Sequence, residues 1–240
     1  MLKVILLNNN MHPNNNILEI KNLFFEWKEK KNFFIHLKDL KLKKRKKILI
    51  LGESGSGKST LLNIISGIIK PCSGVIKINQ TSITDLPPKK RDYFRASNIG
   101  VIFQQFNLLD YISPINNILL PCYFTGFKKK NHKYFYEKAF HLADKLGIKK
   151  NILTQYKSKE LSVGQKQRIA IIRAIINTPK LILADEPTSA LDNKNKIKFI
   201  ELLFEVCEQE KTTLLMVSHD TSLVKHFDDN YLLENLNKSL

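Results

Sequence analysis

Residues 48–67 read "ILILGESGSGKSTLLNIISG": an apolar run, a glycine-rich loop, then an apolar stretch of helical character. No other stretch constrains the fold as much. Four consecutive apolar residues at 48–51 suit a strand buried on both faces, as strands are in a parallel sheet. "GESGSGKS" at 52–59 fits G-x-x-x-x-G-K-S/T. Gly52, Gly55 and Gly57, with Glu53, Ser54 and Ser56 between them, let successive backbone N–H groups wrap phosphate oxygens. Lys58 sets a point charge against the β- and γ-phosphates. The Ser59 hydroxyl reaches Mg²⁺, and Thr60 continues into a helix whose positive end faces the anion. A chance glycine turn rarely has an apolar strand before it and an apolar helix after it.

A second element completes such a site. In "LILADEP", four apolar residues at 181–184 bury a strand and Asp185 emerges at its C-terminal end. Ligands of open α/β sheets bind at that end. Asp185 is placed to hold Mg²⁺ through water, and Glu186 to accept a proton from the attacking water. Further strands are read at 17–25, 33–37, 73–79 and 99–103, and in "TTLLMVSHD", which ends in a histidine. Helices are read from the loop to Pro71, across the lysine-rich residues 128–160, from Ser162 to Asn177, and over "NKIKFIELLFEVCEQE". Apolar strands alternating with helices predict an α/β fold, a parallel sheet with helices on both faces.

Composition narrows the setting. At 43% hydrophobic and 25% charged residues, the chain reads as an ordinary globular protein. Cys72, Cys122 and Cys207 lack metal-ligand spacing, so a reducing cytosol is the simplest setting. No run of about 18 apolar residues occurs. "MLKVILL" is too short for the apolar core of a secretory signal, and residues 1–16 read as a flexible, asparagine-rich leader. The net charge is +17, and seven of the ten residues at 38–47 are basic. That run has no interleaved aromatics and no recognition motif, so a solvated face is favoured over nucleic acid.

"LSVGQKQR" at 161–168 poses a question. Ser162 suits a helix cap, Gly164 allows close backbone approach, and a helix start of this kind suits an anion. The chain already has a better phosphate site about a hundred residues earlier.

At this point the chain resembles the nucleotide-binding subunit of an ABC (ATP-binding cassette) transporter. Six motifs in that family's order carry the resemblance: "GESGSGKST", "VIFQQF", "LSVGQKQR", "LILADEP", "SALD" and "VSHD". The resemblance implies a P-loop NTPase fold with a RecA-like parallel-sheet core, an N-terminal antiparallel β-subdomain and an inserted α-helical subdomain. It implies one domain over 17–240, with the core and β-subdomain at about 17–103 and 165–240 and the helical part at about 104–164. It also answers the question of two phosphate sites. Cassettes of this family pack head to tail, so Ser162, Gly164 and Gln165 would grip the γ-phosphate of ATP held by a second copy of the chain.

The resemblance further implies ATP and Mg²⁺ as ligands. Gln104 senses the metal and the attacking water, His219 contacts the γ-phosphate, and Asp192 lies at the dimer interface. Trp27, the single tryptophan, lies 25 residues before Gly52 and stacks on adenine. Two departures stand out. Val163 replaces the first glycine of the usual Leu-Ser-Gly-Gly-Gln: a helical backbone there accommodates valine, while any other backbone puts bulk beside the phosphate. "KKRKKI" lacks the usual Gly-Glu turn, so that hairpin is expected to differ in shape. Neither touches Lys58, Asp185, Glu186 or His219, so an active ATPase is expected.

Residues 96–127 carry one charge, Asp110, in a chain that is a quarter charged. With Pro114, Asn116, Asn117 and Pro121 inside it, this segment is read as an exposed apolar docking surface, where the family receives its membrane subunit. "IGVIFQQFNLL", "ADEPTSALD" and "VSHDTSLVKHFDD" are most similar to the lipoprotein-releasing, macrolide-export and cell-division branch. Three readings follow: a transport or extraction motor with an integral membrane permease, a cell-division-type cassette that moves no cargo, and a soluble cassette acting on nucleic acid or ribosomes. The first is favoured, with the chain peripheral on the cytoplasmic face of the inner or plasma membrane and no nucleic-acid partner expected. The third lacks its companion features: a second cassette, a coiled-coil insertion or paired cysteines.

Overall fold

The structure, a computed structural model, describes residues 15–27, 33–125 and 131–237. The leader read over 1–16 lies outside the described residues except for Asn15 and Asn16, as do 128–130 of the lysine-rich stretch. Strands β1 (Asn16–Glu26), β2 (Phe34–Lys43) and β3 (Lys47–Leu51) lead into helix α1 (Lys58–Ile65). Then come β4 (Ser73–Ile78), β5 (Thr81–Ser82), α2 (Pro88–Asn98), β6 (Ile99–Ile102) and α3 (Pro114–Phe124). Helices α4 (His132–Lys145), α5 (Lys150–Gln155) and α6 (Val163–Ile175) precede β7 (Leu181–Asp185) and α7 (Asn193–Gln209). The described part closes with β8 (Thr213–Ser218), β9 (Asp229–Leu232) and the short α8 (Leu233–Leu236).

Among the described residues the strands form two sheets. One is antiparallel in the order β2-β1-β4-β5; the other is parallel in the order β6-β7-β8-β3-β9. Strand periodicity sends alternate side chains to opposite faces. Leu49 and Leu51, Ile182 and Ala184, and Leu214 and Met216 join a core with α3, α4, α6 and α7. Ile48 and Ile50, Leu181 and Leu183, and Leu215 and Val217 join a second core with α1 and the antiparallel sheet. Both faces of the parallel sheet are covered, as its unbroken apolar strands require.

The basic run acquires a structural role. β2 is an edge strand. Along it Leu40 and Leu42 point inward while Lys41 and Lys43 stay exposed. Exposed lysines on an edge oppose pairing with another chain. The other half of the edge is capped by Asn237, whose Oδ1 accepts from His36 N at 2.6 Å and whose Nδ2 donates to the Phe34 carbonyl at 3.1 Å. The expected hairpin does not form, because β2 and β3 belong to different sheets; the chain turns between them at Lys44–Arg45, and Arg45 takes a left-handed φ of 61° without glycine, donating its N–H to Thr213 Oγ1 at 2.8 Å.

Several expectations are corrected. The helix after the glycine loop ends at Ile65, short of Pro71, and the chain turns at Gly67 with φ 72°. The lysine-rich stretch is two helices broken near Gly147 (φ 69°). α2, β9 and α8 are additional to the elements read from the sequence. Residues 114–124 are a helix, and most of it is buried: Ile115, Ile118, Leu119 and Cys122 follow i, i+3, i+4, i+7 into the core. Asn117, fully buried, accepts from Leu109 N (2.8 Å) and donates to the Leu109 carbonyl (3.0 Å) and to Ser158 Oγ (2.8 Å). Only Tyr123 and Phe124 at the end of this helix remain widely exposed. α6 presses on β6, where a Cβ at Gly100 would lie 2.3 Å from the Ala174 carbonyl oxygen.

Candidate functional site

The phosphate loop joins β3 to α1 as the sequence predicts. Gly57 is the helix N-cap, with a left-handed φ of 101° that other residues rarely adopt. A Cβ there would also meet the Phe33 ring at 2.8 Å. No side chain caps α1, so its first-turn N–H groups are left for a ligand. Ser56 Oγ is buried without a hydrogen-bond partner. An orphan hydroxyl beside uncapped amides suits a bound anion.

Lys58 is only 4% exposed. Its ammonium donates to the Gly52 carbonyl (2.8 Å) and the Glu53 carbonyl (2.6 Å) and lies 3.1 Å from Glu186 Oε1. The other Glu186 oxygen, Oε2, meets His219 Nδ1 at 2.7 Å. Glu186 follows β7 in a left-handed conformation, φ 43°, with its N–H on the Val217 carbonyl at 3.1 Å. Glu186 thus bridges Lys58 and His219, three residues that the sequence assigns to one site.

Ser59 Oγ donates to Asp185 Oδ1 at 2.9 Å. Burial pushes the Asp185 carboxyl above its ordinary range, opposed by the Ser59 hydrogen bond, and the Glu186 charge pushes the same way as burial. Among the described residues no group of three or more His, Cys, Asp and Glu could hold a metal by itself. A hydroxyl and a carboxylate side by side are hard oxygen donors. They fit Mg²⁺, which takes its remaining ligands from water and substrate phosphates.

Lys58, Ser59 and Glu186 open on a cavity of about 290 Å³, lined also by Trp27, Phe33, Ser54, Gly55, Gly57, Thr60 and Gln104. Trp27 is 40% exposed and stands edge-on to Phe25, with centroids 5.1 Å apart. Phe33 was missed at sequence level: in "NFFIHL" nothing separates it from the strand that follows. Gln104 Nε2 donates to Ser189 Oγ at 3.1 Å.

Ser162, Gly164, Gln165 and Asp192 lie outside this lining, as do Gly52, Glu53, Ser56, Asp185 and His219. Ser162 caps α6: Gln165 N donates to its Oγ (3.3 Å), and Gln165 Oε1 accepts from Ser162 N (2.9 Å), a capping box. Val163 is the first residue of the helix and 59% exposed, so its backbone is helical and accommodates the side chain. A Cβ on Gly164 would meet nothing within 4 Å. Asp192 caps α7, accepting from Asn195 N (3.0 Å) and Asn195 Nδ2 (2.6 Å), and these bonds hold its carboxyl below the ordinary range.

Next to His219, Asp220 fastens the strand end to α7. Its carboxylate accepts from the Lys196 ammonium and from Ser222 N (2.9 Å). The Lys196 hydrogen bond, followed by that of the Ser222 side chain, holds its pKa at about 2, against an ordinary 3.8. A depressed carboxyl stabilises the fold fully above its unfolded value and loses that contribution as pH falls toward 2. Asp220→Asn is expected to lower the urea-unfolding free energy by about 1 kcal/mol at pH 7, with the difference shrinking from pH 5 to pH 3. Equal stability of the two proteins at pH 7 would show that the pair contributes nothing.

Comparison with known proteins gives the family. The sequence profile of the ABC transporter family matches residues 36–189. The chain is 37% identical over 196 residues to the lipoprotein-releasing system ATP-binding protein LolD of Saccharophagus degradans, covering 82% of this chain and 84% of that protein. It is 41% identical over 190 residues to LolD of Treponema denticola, covering 78% and 81%. The fold matches the ATP-binding cassette MJ0796, solved as a dimer in a post-hydrolysis state with ADP and Pi, at TM-score 0.76 and 33% identity over 90% of this chain and 93% of that one. With its phosphate loop, its acidic strand end and this kinship, the chain belongs to the ABC transporter family and is an ATP-binding, ATP-hydrolysing cassette of that family.

Proposed function

We propose that the chain drives a membrane export or extraction machine, working as a head-to-tail pair with a second copy of itself beneath an integral permease. The observation that carries this reading is a separation. Ser162, Val163 and Gly164 stand exposed or open at the start of α6, and none of them lines the cavity of its own chain. A two-fold pair brings each α6 to the other copy's phosphate loop and completes two sites at once. That the 33%-identical cassette MJ0796 was solved as a dimer supports it.

In this reading ATP lies along the phosphate loop, with Trp27 and Phe33 on its nucleoside. Lys58 and the first-turn amides of α1 hold the phosphates. Glu186 takes a proton from the attacking water, His219 steadies the γ-phosphate, and Asp192 lies at the pair's interface. Ser59, Asp185 and Gln104 would hold Mg²⁺, which when bound neutralises phosphate charge. A groove of about 280 Å³ with Ile68, Val101, Phe103, Leu120 and Phe124 in its wall suits an apolar segment of the permease. Among the described residues no helix is long and apolar enough to cross a membrane, so a membrane anchor in this reading comes from that partner. Two relatives are lipoprotein-releasing system proteins, which makes a lipid-modified protein the cargo class to test first. The lysines of the edge strand need no nucleic acid to explain them.

Ser162→Arg tests the pairing. The variant is expected to bind ATP as the parent does in calorimetry on dilute monomer, and to hydrolyse it at least about 10²-fold more slowly at concentrations where the parent pairs. Loss of binding in the monomer would show that α6 serves its own chain's phosphates instead.

A further inference from the structure

We propose that Arg173 is a positioning residue for hydrolysis: its guanidinium holds both ends of the turn that carries Gln104, and so ties that glutamine to helix α6. The turn runs from Phe103 to Phe106, closed by Phe106 N on the Phe103 carbonyl at 2.9 Å. Gln104 and Gln105 are its two central residues. At the near end, the Arg173 guanidinium carbon lies 5.9 Å from the centroid of the Phe103 ring. At the far end, Arg173 Nη2 donates to the Phe106 carbonyl and Nη1 to the Asn107 carbonyl at 2.8 Å.

The choice of arginine is costly, which argues for a specific task. Arg173 is 8% exposed, and among the described residues no carboxylate pairs with it. Burial lowers its pKa to about 10, so it still carries its charge at neutral pH. A buried cation without a counter-ion is a poor way to fill a core where methionine or leucine would pack. What those side chains cannot do is bond two successive carbonyls in a fixed fork. Phe106 and Asn107 need that bond: both are left-handed, at φ 61° and 44°, a conformation that phenylalanine rarely takes.

Arg173 also sits in the helix that Ser162 caps. Eleven residues separate the two, about 16 Å of rigid α-helix at 1.5 Å per residue. Whatever seats the start of α6 against a second copy therefore shifts the grip on the Gln104 turn. Gln104 now donates to Ser189, and Ser189 N bonds the carbonyl of Glu186 at 3.1 Å, so the turn already touches the loop that carries the general base. The inference rests on the proposed role of Gln104 at the attacking water.

A double-mutant cycle on the full chain decides it. Arg173→Lys keeps the charge and loses the fork. Its kcat for ATP is expected to fall about 10²-fold, the scale of a misplaced catalytic group, while KM stays within about threefold. In a Gln104→Ala background the same substitution is expected to change kcat less than about threefold, because its effect passes through the glutamine. A residue that only supports the core would lower the rate equally in both backgrounds, and such additivity overturns the proposal. So does an Arg173→Lys protein with parental kcat. If Gln104→Ala itself hydrolyses at the parental rate, the role of Gln104 is wrong and the inference falls with it; a slow Gln104→Ala with additive effects removes the inference alone. Should Arg173→Lys not fold, Phe103→Leu, which removes the ring under the guanidinium, enters the same cycle and is read by the same criterion.

Discussion

Glu186→Gln protein is expected to bind ATP with parental affinity and to hydrolyse it at least about 10²-fold more slowly, the usual scale for loss of a general base. The substitution is nearly isosteric. The amide keeps an acceptor oxygen for Lys58 or His219, so the pocket survives, but it no longer accepts a proton from water. The backbone at this residue is left-handed and held by the Val217 carbonyl. Such strain costs on the order of 1–3 kcal/mol and persists where surrounding structure fixes it, as it does at functional sites. Because ATP binds without turnover, the paired form should accumulate and elute earlier in gel filtration with ATP than with ADP. Phosphate release at the parental rate would remove Glu186 from the chemistry.

Lys58→Ala is expected to weaken ATP binding about 10- to 100-fold, the loss of one or more charge-assisted hydrogen bonds of about 1.5–3 kcal/mol each. The ammonium now satisfies two loop carbonyls and one oxygen of Glu186. In the proposed reading, phosphate oxygens compete with the carboxylate for this ammonium. Truncation removes both the attraction for phosphate and the tether on Glu186. Calorimetry separates this variant from Glu186→Gln: affinity falls in the first and holds in the second. A Lys58→Ala protein that binds ATP within threefold of the parent would show that the amides of α1 carry the site without it.

How legible the site was depended on how local its physics is. The phosphate loop announces itself because glycine spacing, a lysine and an apolar strand are all contiguous in sequence. The capping box of α6 was half legible: Ser162 was read as the cap, while the reciprocal bond from Gln165 appeared only in the structure. Residues 114–124 were misread because Pro114, Asn117 and Pro121 look like marks of exposure. Pro114 instead opens the helix, where its missing N–H costs nothing, and Asn117 is buried with Leu109 and Ser158 as partners. The stripe at 115, 118, 119 and 122 was present in the sequence all along. Arg173 was invisible because a buried arginine on an apolar helix face makes sense only once the Phe106 and Asn107 carbonyls are seen turned toward it.

Among the described residues the parallel sheet divides the buried apolar side chains into two clusters. On one side, α1 packs with the antiparallel sheet; on the other, α3, α4, α6 and α7 pack together. The groove lies where the two meet, with Ile99 and Val101 from the first and Ala174 from the second in its wall. Side chains that share no neighbour contribute nearly independently to stability. Substitutions deep in one cluster should therefore leave the other nearly undisturbed, whereas a change in the groove, which Phe103 and Arg173 line, reaches the turn of Gln104 as well.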